Sequence, residues 1–329
     1  MTQIAFVWES WNVYWSGIVL ALAVLAAVLA ALAFRLLQGR SAADILLLLP
    51  PALFLSLLLS RLLHFYCFYR QYAGLRQALT DFSVGSFSLP GVFAGVLLTV
   101  LLARLLRVID SAAELLDALS PAAALGLCAG RLCFFFNSMD RGKMTFRSEL
   151  LHALPFSTPL ETSGGLEWRA AVFFWQSLTA LALFLLLSVL FFRLRKTPRR
   201  RDGGLFLLFM ALCCASEILF DSMRYDSAFL RSNGFVSLVQ ILGTAVLTAE
   251  LILFSVQAAK KGAAKSRIAR GCLLFLFGAA LAGFMEYAVQ RRGDLYPFFY
   301  AGMALGLVLC CDALRRMRRL KRRRTKPAQ

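Results

Sequence analysis

The chain of 329 residues is 60% hydrophobic and only 16% charged, and it carries a formal net charge of +18. That composition excludes a soluble globular protein and points to a chain that crosses a bilayer repeatedly, each crossing needing about 20 apolar residues. The basic surplus sits in short tracts between apolar runs, so it is read as topology signal and headgroup contact, and no nucleic-acid partner is expected.

In chain order, the first span is predicted at 16–36, behind a polar, tryptophan-rich lead. That lead lacks a short apolar core with a small-residue cleavage site, so the span is read as uncleaved. Spans at 44–66 and 87–107 follow. "SAAELLDAL" (111–119) sets Ser111 and Glu114 at capping-box spacing and is expected to be a short interfacial helix. Ser120-Pro121 then opens the fourth span, 121–137, as N-cap and first-turn proline. The longest outer loop, 138–168, carries "PFSTP" and "SGG" and is expected to form a partly ordered cap. Spans at 170–192, 204–221, 235–257, 271–289 and 297–314 complete the set.

The predicted fold class is therefore an all-α, polytopic integral membrane protein with about nine transmembrane helices. By span count, Arg35, Arg40 and the tracts "FRLRKTPRRRD" (192–202), "KKGAAKSRIARG" (260–271) and "RRMRRLKRRRTK" (315–326) all fall on one side. The positive-inside rule places that side, and the C-terminus, in the cytoplasm and the N-terminus outside. The eight cysteines all lie in apolar segments without C-x-x-C spacing, and there are only two histidines, so neither a disulfide frame nor a metal site is expected.

Ionisable residues within the spans demand a reason, because a charge at membrane depth must be paired or face a polar cavity. They gather toward the outer ends: Arg61 and His64 in "SRLLHFYCFYRQY", Arg131 in "CAGRLCFFF", and Glu217, Asp221 and Arg224 in "SEILFDSMRYDS". One reading is a site for an anionic ligand, with a phosphodiester headgroup matching the bidentate guanidinium fork. The other pairs Arg131 with Glu217 or Asp221 and lets Arg224 snorkel to the surface.

"GRLCFFFNSMDRGKMT" resembles the signature of the bacterial prolipoprotein diacylglyceryl transferases, with Gly130, Arg131, Phe135, Asn137, Gly142 and Thr145 standing where that pattern expects them. "SRLLHFYCFY" is similar to the family's second-span motif and places Arg61; "DSMRYDSAFLRSNGFVSLVQIL" is similar to a later one and places Arg224, Asp226 and Gln240. "VYWSGIVLALAV" echoes the first span. The resemblance runs over about residues 11–257, so the chain is divided into a transferase-like membrane domain, 1–257, and a further region, 258–329, of two additional spans and a basic tail.

The resemblance implies transfer of a diacylglyceryl group from phosphatidylglycerol to the lipobox cysteine of secreted prolipoproteins in the bacterial plasma membrane, without a cofactor. Its expected partners are phosphatidylglycerol, prolipoprotein signal peptides and membrane lipids. Arg131, Arg224 and Asn137 are the expected catalytic residues. Arg61, Gly142 and Asp226, joined by Asp221 and His64, are the expected substrate-binding set.

The chain also departs from the pattern. Ser16 stands for a tyrosine, Ser88 or Leu89 for a histidine, Phe134 for an asparagine, Met139 (beside Asp140) for an acid, and Gln176 for another acid. Candidate replacements as general base are His64, His152, Asp140 and Asp221. These losses support an alternative: a catalytically impaired relative that binds anionic phospholipid or lipoprotein precursors.

Overall fold

The computed structural model describes residues 3–9, 11–80, 87–162, 164–195, 203–229, 236–292 and 295–320. The basic residues of 196–202 and 321–326, and the "RSNGF" segment of the third motif, lie outside the described residues. The order of elements is β1 (Ile4–Trp8), β2 (Trp11–Tyr14), α1 (Trp15–Leu37), α2 (Ala43–Cys67), α3 (Leu75–Thr80), α4 (Leu89–Leu105) and α5 (Ala112–Arg131). A 3-10 turn (Leu132–Phe136) leads on to β3 (Ser157–Thr162), β4 (Gly165–Ala170), α6 (Val172–Arg195), α7 (Gly204–Met223), α8 (Leu238–Lys260), α9 (Lys265–Arg291) and α10 (Tyr296–Arg319).

Every predicted span coincides with a helix. Among the described residues, eight helices are long and apolar enough to cross a membrane; α4, with 17 residues, is apolar but shorter. The protein is a predominantly helical polytopic membrane protein, with two short antiparallel hairpins, β1–β2 and β3–β4, added to it. The second hairpin, registered Ser157↔Ala170 through Thr162↔Gly165, gives the long loop between α5 and α6 its order.

The chain forms two compact units, one of Met1–Phe209 with Arg224–Val239 and one of Met210–Met223 with Gln240–Gln329. In the first, α2 packs on α4, and α5 packs on both α1 and α6. The α2–α4 contact is made of small residues. A Cβ on Gly91 or Gly95 would stand 2.4 Å from Ser60 Cα or 2.3 Å from Ser56 N, so only glycine permits this approach. Ser56 and Ser60 hydroxyls donate to the Val92 and Ser88 carbonyls across the seam. Close backbone approach with polar links is how helices associate where lipid removes the hydrophobic drive.

The segment 111–119 is corrected by the structure. It is the beginning of α5, which continues through Pro121, and not a separate interfacial helix. The capping contact is present, with Ser111 Oγ accepting from Glu114 N at 3.3 Å. Ser120 is no N-cap; its hydroxyl donates to the Leu116 carbonyl within the helix. The polar residues here are buried because distant segments supply partners. Arg40 bonds Glu114, Gln38 donates to the Glu114 carbonyl, and Asp117 accepts from the backbone N–H groups of Gly203, Leu205 and Phe206. Asp117 thereby caps the first turn of α7, whose unsatisfied N–H groups and positive dipole end favour a carboxylate.

In the second unit α9 and α10 pack against each other. The intramembrane Glu286 is bonded by the Ser222 hydroxyl and by Gln290 Nε2.

Candidate functional site

The signature motif begins where α5 ends. Arg131 is the last residue of α5, and the following 3-10 turn is pinned by its aromatics: Phe136 stacks on Trp15 with centroids 5.9 Å apart, and Phe135 meets Phe173 edge-on at 6.4 Å. Phe134, at the position of the family asparagine, places its ring 5.9 Å from the Arg131 guanidinium carbon. That is a cation–π contact where the family pattern offers a hydrogen-bonding amide. Asn137 then turns the chain, its Oδ1 accepting from Met139 N at 2.9 Å, the local turn that asparagine makes readily. Asp140 follows with φ +55, a left-handed conformation tolerated by aspartate.

The turn delivers Asp140 between two arginines. Arg131 Nη1 donates to Asp140 Oδ2 at 2.6 Å, and Arg224 Nη2 lies 2.6 Å from Oδ1, as an ion pair without the alignment of a hydrogen bond. Arg224 Nε also donates to Asp226 Oδ1 at 3.1 Å, while Asp226 Oδ2 accepts from Asp140 N at 3.1 Å. Asp140 is 0% exposed and Arg131 7%. Carboxylates bridging guanidiniums at such depth are strongly coupled, because little water screens them.

Arg141 is a third guanidinium in the same turn, and sequence reading missed it. It is 4% exposed. Its Nη2 donates to the Asn137 carbonyl at 2.8 Å, its charge sits 4.7 Å over the Phe173 ring, and its own carbonyl accepts from Tyr225 N. Nε and Nη1 are buried without a hydrogen-bond acceptor among the described residues. Burial pushes the guanidinium down to about 10, although Asp140 and Asp226 pull it upward. Among these five side chains, three guanidinium groups face two carboxylates, an excess of one positive charge. The only signal was the dipeptide Asp140-Arg141 inside the motif.

Gly142 has a steric reason. A Cβ there would lie 2.6 Å from Ala170 Cβ and 3.1 Å from Val172 Cγ2, while Gly142 N donates to the Ala170 carbonyl and the residue bridges to Arg224. Arg224 and the signature are thus joined through backbone as well as charge. Thr145 bridges to Arg169, whose guanidinium pairs with Glu167 at 2.7 Å and covers the Tyr225 ring.

The remaining expected residues are held by other partners. Arg61 is 2% exposed, donates to the Ala78 carbonyl at 2.7 Å and lies over the Tyr72 and Phe87 rings. His64 Nδ1 is 2.9 Å from the Tyr72 hydroxyl, and His152 stacks on Trp168 with Nε2 at 3.1 Å from the Phe146 carbonyl. Asp221 is buried near the end of α7, in the second unit, which also contains Glu217 and Gln240. The carboxylate that meets Arg131 at 2.6 Å is Asp140, from its own motif, and Arg224 is mostly buried on Asp140 and Asp226 instead of snorkelling.

A buried cluster with surplus positive charge, at the end of a membrane helix, can hold a phosphate group and stabilise negative charge that develops on it. Comparison with known proteins agrees with that chemistry. The phosphatidylglycerol–prolipoprotein diacylglyceryl transferase of Trichormus variabilis is 28% identical over 175 residues, 53% of this chain and 61% of the relative. The protein of the same name from Nostoc sp. is 28% identical over 178 residues, 54% of this chain and 62% of the relative. That of Acaryochloris marina is 26% identical over 155 residues, 47% and 54% respectively. The chain thus spans 54–62% of the length of these relatives. The profile of the prolipoprotein diacylglyceryl transferase family matches residues 3–256, the stretch that builds the arginine cluster, and the chain belongs to that family.

Proposed function

We propose that the protein is a phosphatidylglycerol–prolipoprotein diacylglyceryl transferase of the bacterial plasma membrane. The observation that carries this reading is the meeting of Arg131 and Arg224, from separate family motifs, on the one carboxylate of Asp140. In the proposed reaction the lipobox thiolate attacks the glyceryl carbon that bears the phosphate. A C–S bond forms, the C–O bond breaks, and its electron pair leaves on the phosphate oxygen as glycerol phosphate. Arg131 and Arg224 neutralise that growing charge, and Asp140 keeps the two cations side by side before substrate arrives. A cysteine thiol already supplies a few per cent of thiolate near neutral pH, with its proton lost to water.

Asn137 shapes the turn, Asp226 steers Arg224, and Gly142 lets the motif lie against β4. Arg61 and His64 complete the proposed substrate-binding set. The proposed topology has the N-terminus outside and the basic C-terminus in the cytoplasm, with residues 258–329 as an addition to the transferase domain of 1–257.

A second reading is favoured by Phe134, which leaves Arg131 an aromatic face in place of an amide, and by the histidines, which bond Tyr72 and the Phe146 carbonyl. In it the protein binds anionic lipid or lipoprotein precursors without transferring the lipid. Complementation of a strain depleted of its own transferase separates the two. The transferase reading expects a reporter lipoprotein to gain the diacylglyceryl mass with wild type and to lose it with Arg131→Ala. An unmodified reporter despite good membrane expression of wild type rejects that reading in favour of the second.

A further inference from the structure

Buried cations are normally paired, because leaving guanidinium nitrogens without acceptors in a water-poor interior costs several kcal/mol. Arg131 and Arg224 obey that rule through Asp140 and Asp226. Arg141 does not. It is as buried as its neighbours, has no carboxylate at ion-pair distance among the described residues, and satisfies only Nη2, on a backbone carbonyl. Nε and Nη1, on opposite edges of the guanidinium plane, stay without acceptors, and Nη1 can donate to an oxygen of a phosphate. A buried donor left unsatisfied in an otherwise bonded cluster needs an explanation.

We infer that Arg141 is the direct phosphate ligand of the cluster, donating from Nη1 to an oxygen of a singly charged phosphodiester. Arg131, Arg224, Asp140 and Asp226 form the bonded frame around it. The charges agree, since the excess of one positive charge is cancelled by one phosphodiester. The guanidinium is also held in place. The Phe173 ring supports its face at 4.7 Å, Asn137 fixes Nη2 at 2.8 Å, and the Tyr225 N–H holds its backbone beside Arg224. Both nitrogens are buried by the protein around them. This inference rests on the reading of the cluster as a lipid-phosphate site, and it adds a residue outside the motif positions on which the resemblance was built.

The test uses the full-length protein in phosphatidylcholine nanodiscs, as wild type, Arg141→Met and Arg141→Lys. Each is titrated with short-chain phosphatidylglycerol and, separately, with inorganic phosphate, and thermal unfolding is recorded alongside. The expected result is that Arg141→Met weakens phosphatidylglycerol binding about tenfold or more, Arg141→Lys weakens it less, and neither unfolds at a lower temperature than wild type. Equal binding by wild type and Arg141→Met overturns the assignment and leaves the lipid-site reading standing. Binding of inorganic phosphate alone, lost in Arg141→Met, supports Arg141 as the phosphate ligand and rejects the lipid-site reading. No binding of either ligand by wild type overturns both. Failure of both variants to fold makes Arg141 a structural residue and overturns the assignment.

Discussion

Asp140 faces two guanidinium groups at 2.6 Å with no exposure of its own. Removing it takes away the carboxylate that Arg131 and Arg224 share, while Arg224 keeps Asp226, and breaking a buried pair from one side costs about 3–5 kcal/mol. Asp140→Ala is therefore expected to lower the unfolding temperature of the purified protein substantially, and Asp140→Asn less, because the amide keeps one acceptor. Gly142→Ala forces a methyl to 2.6 Å from Ala170 Cβ, an overpacking cost of about 1–3 kcal/mol readable in the same assay. Arg141 sets a pH dependence of opposite character. A base whose folded-state value is lowered, here to about 10, penalises folding while it is charged. The penalty is full below about pH 10 and is relieved as pH climbs above it, where the unfolded chain still binds the proton. Wild-type stability relative to Arg141→Met should be flat near neutral pH and rise in the alkaline range; a fall there would contradict a setting in which burial outweighs the nearby Asp140 and Asp226.

At the scale of elements, the spans were readable because each is a long apolar run, and each falls on a helix, although α5 and α9 begin well before their predicted starts, α10 runs past its predicted end and the short α3 was not predicted. The amphipathic pattern of 111–119 looked interfacial since its partners are far away in sequence: Arg40 and Gln38 come from the α1–α2 turn, and Gly203, Leu205 and Phe206 come from the start of α7. Asp117→Ala removes acceptors for three N–H groups at the α7 N-terminus and is expected to cost about 1–2 kcal/mol, measured by thermal unfolding. The motif residues Arg131, Asn137, Gly142, Arg224 and Asp226 were legible as residues, and four of them meet through Asp140 and the Gly142–Arg224 bridge. Arg141 was not legible. A charged residue in an outer loop reads as solvated until the Phe173 ring at the start of α6 is seen beneath it. Nor did the sequence show that the acid for Arg131 lies nine residues away in its own motif.

Across the whole molecule, the resemblance to the family motifs holds at Arg61, Arg131 and Arg224 and departs at Phe134 and Met139. In the proposed function these arginines supply positive charge around the phosphate. Such a pattern suits a reaction whose barrier lies in charge on the leaving phosphate more than in proton transfer, since the cysteine thiol ionises in part unaided. The most direct measurement is made with purified full-length protein, phosphatidylglycerol vesicles and a lipobox peptide, following peptide mass and released glycerol phosphate together. The peptide should gain one diacylglyceryl group per glycerol phosphate released, with wild type and not with Arg131→Ala or Arg224→Ala. An unmodified peptide under conditions in which one of the curated relatives modifies it, or equal rates in wild type and both arginine variants, would contradict the role given to the cluster.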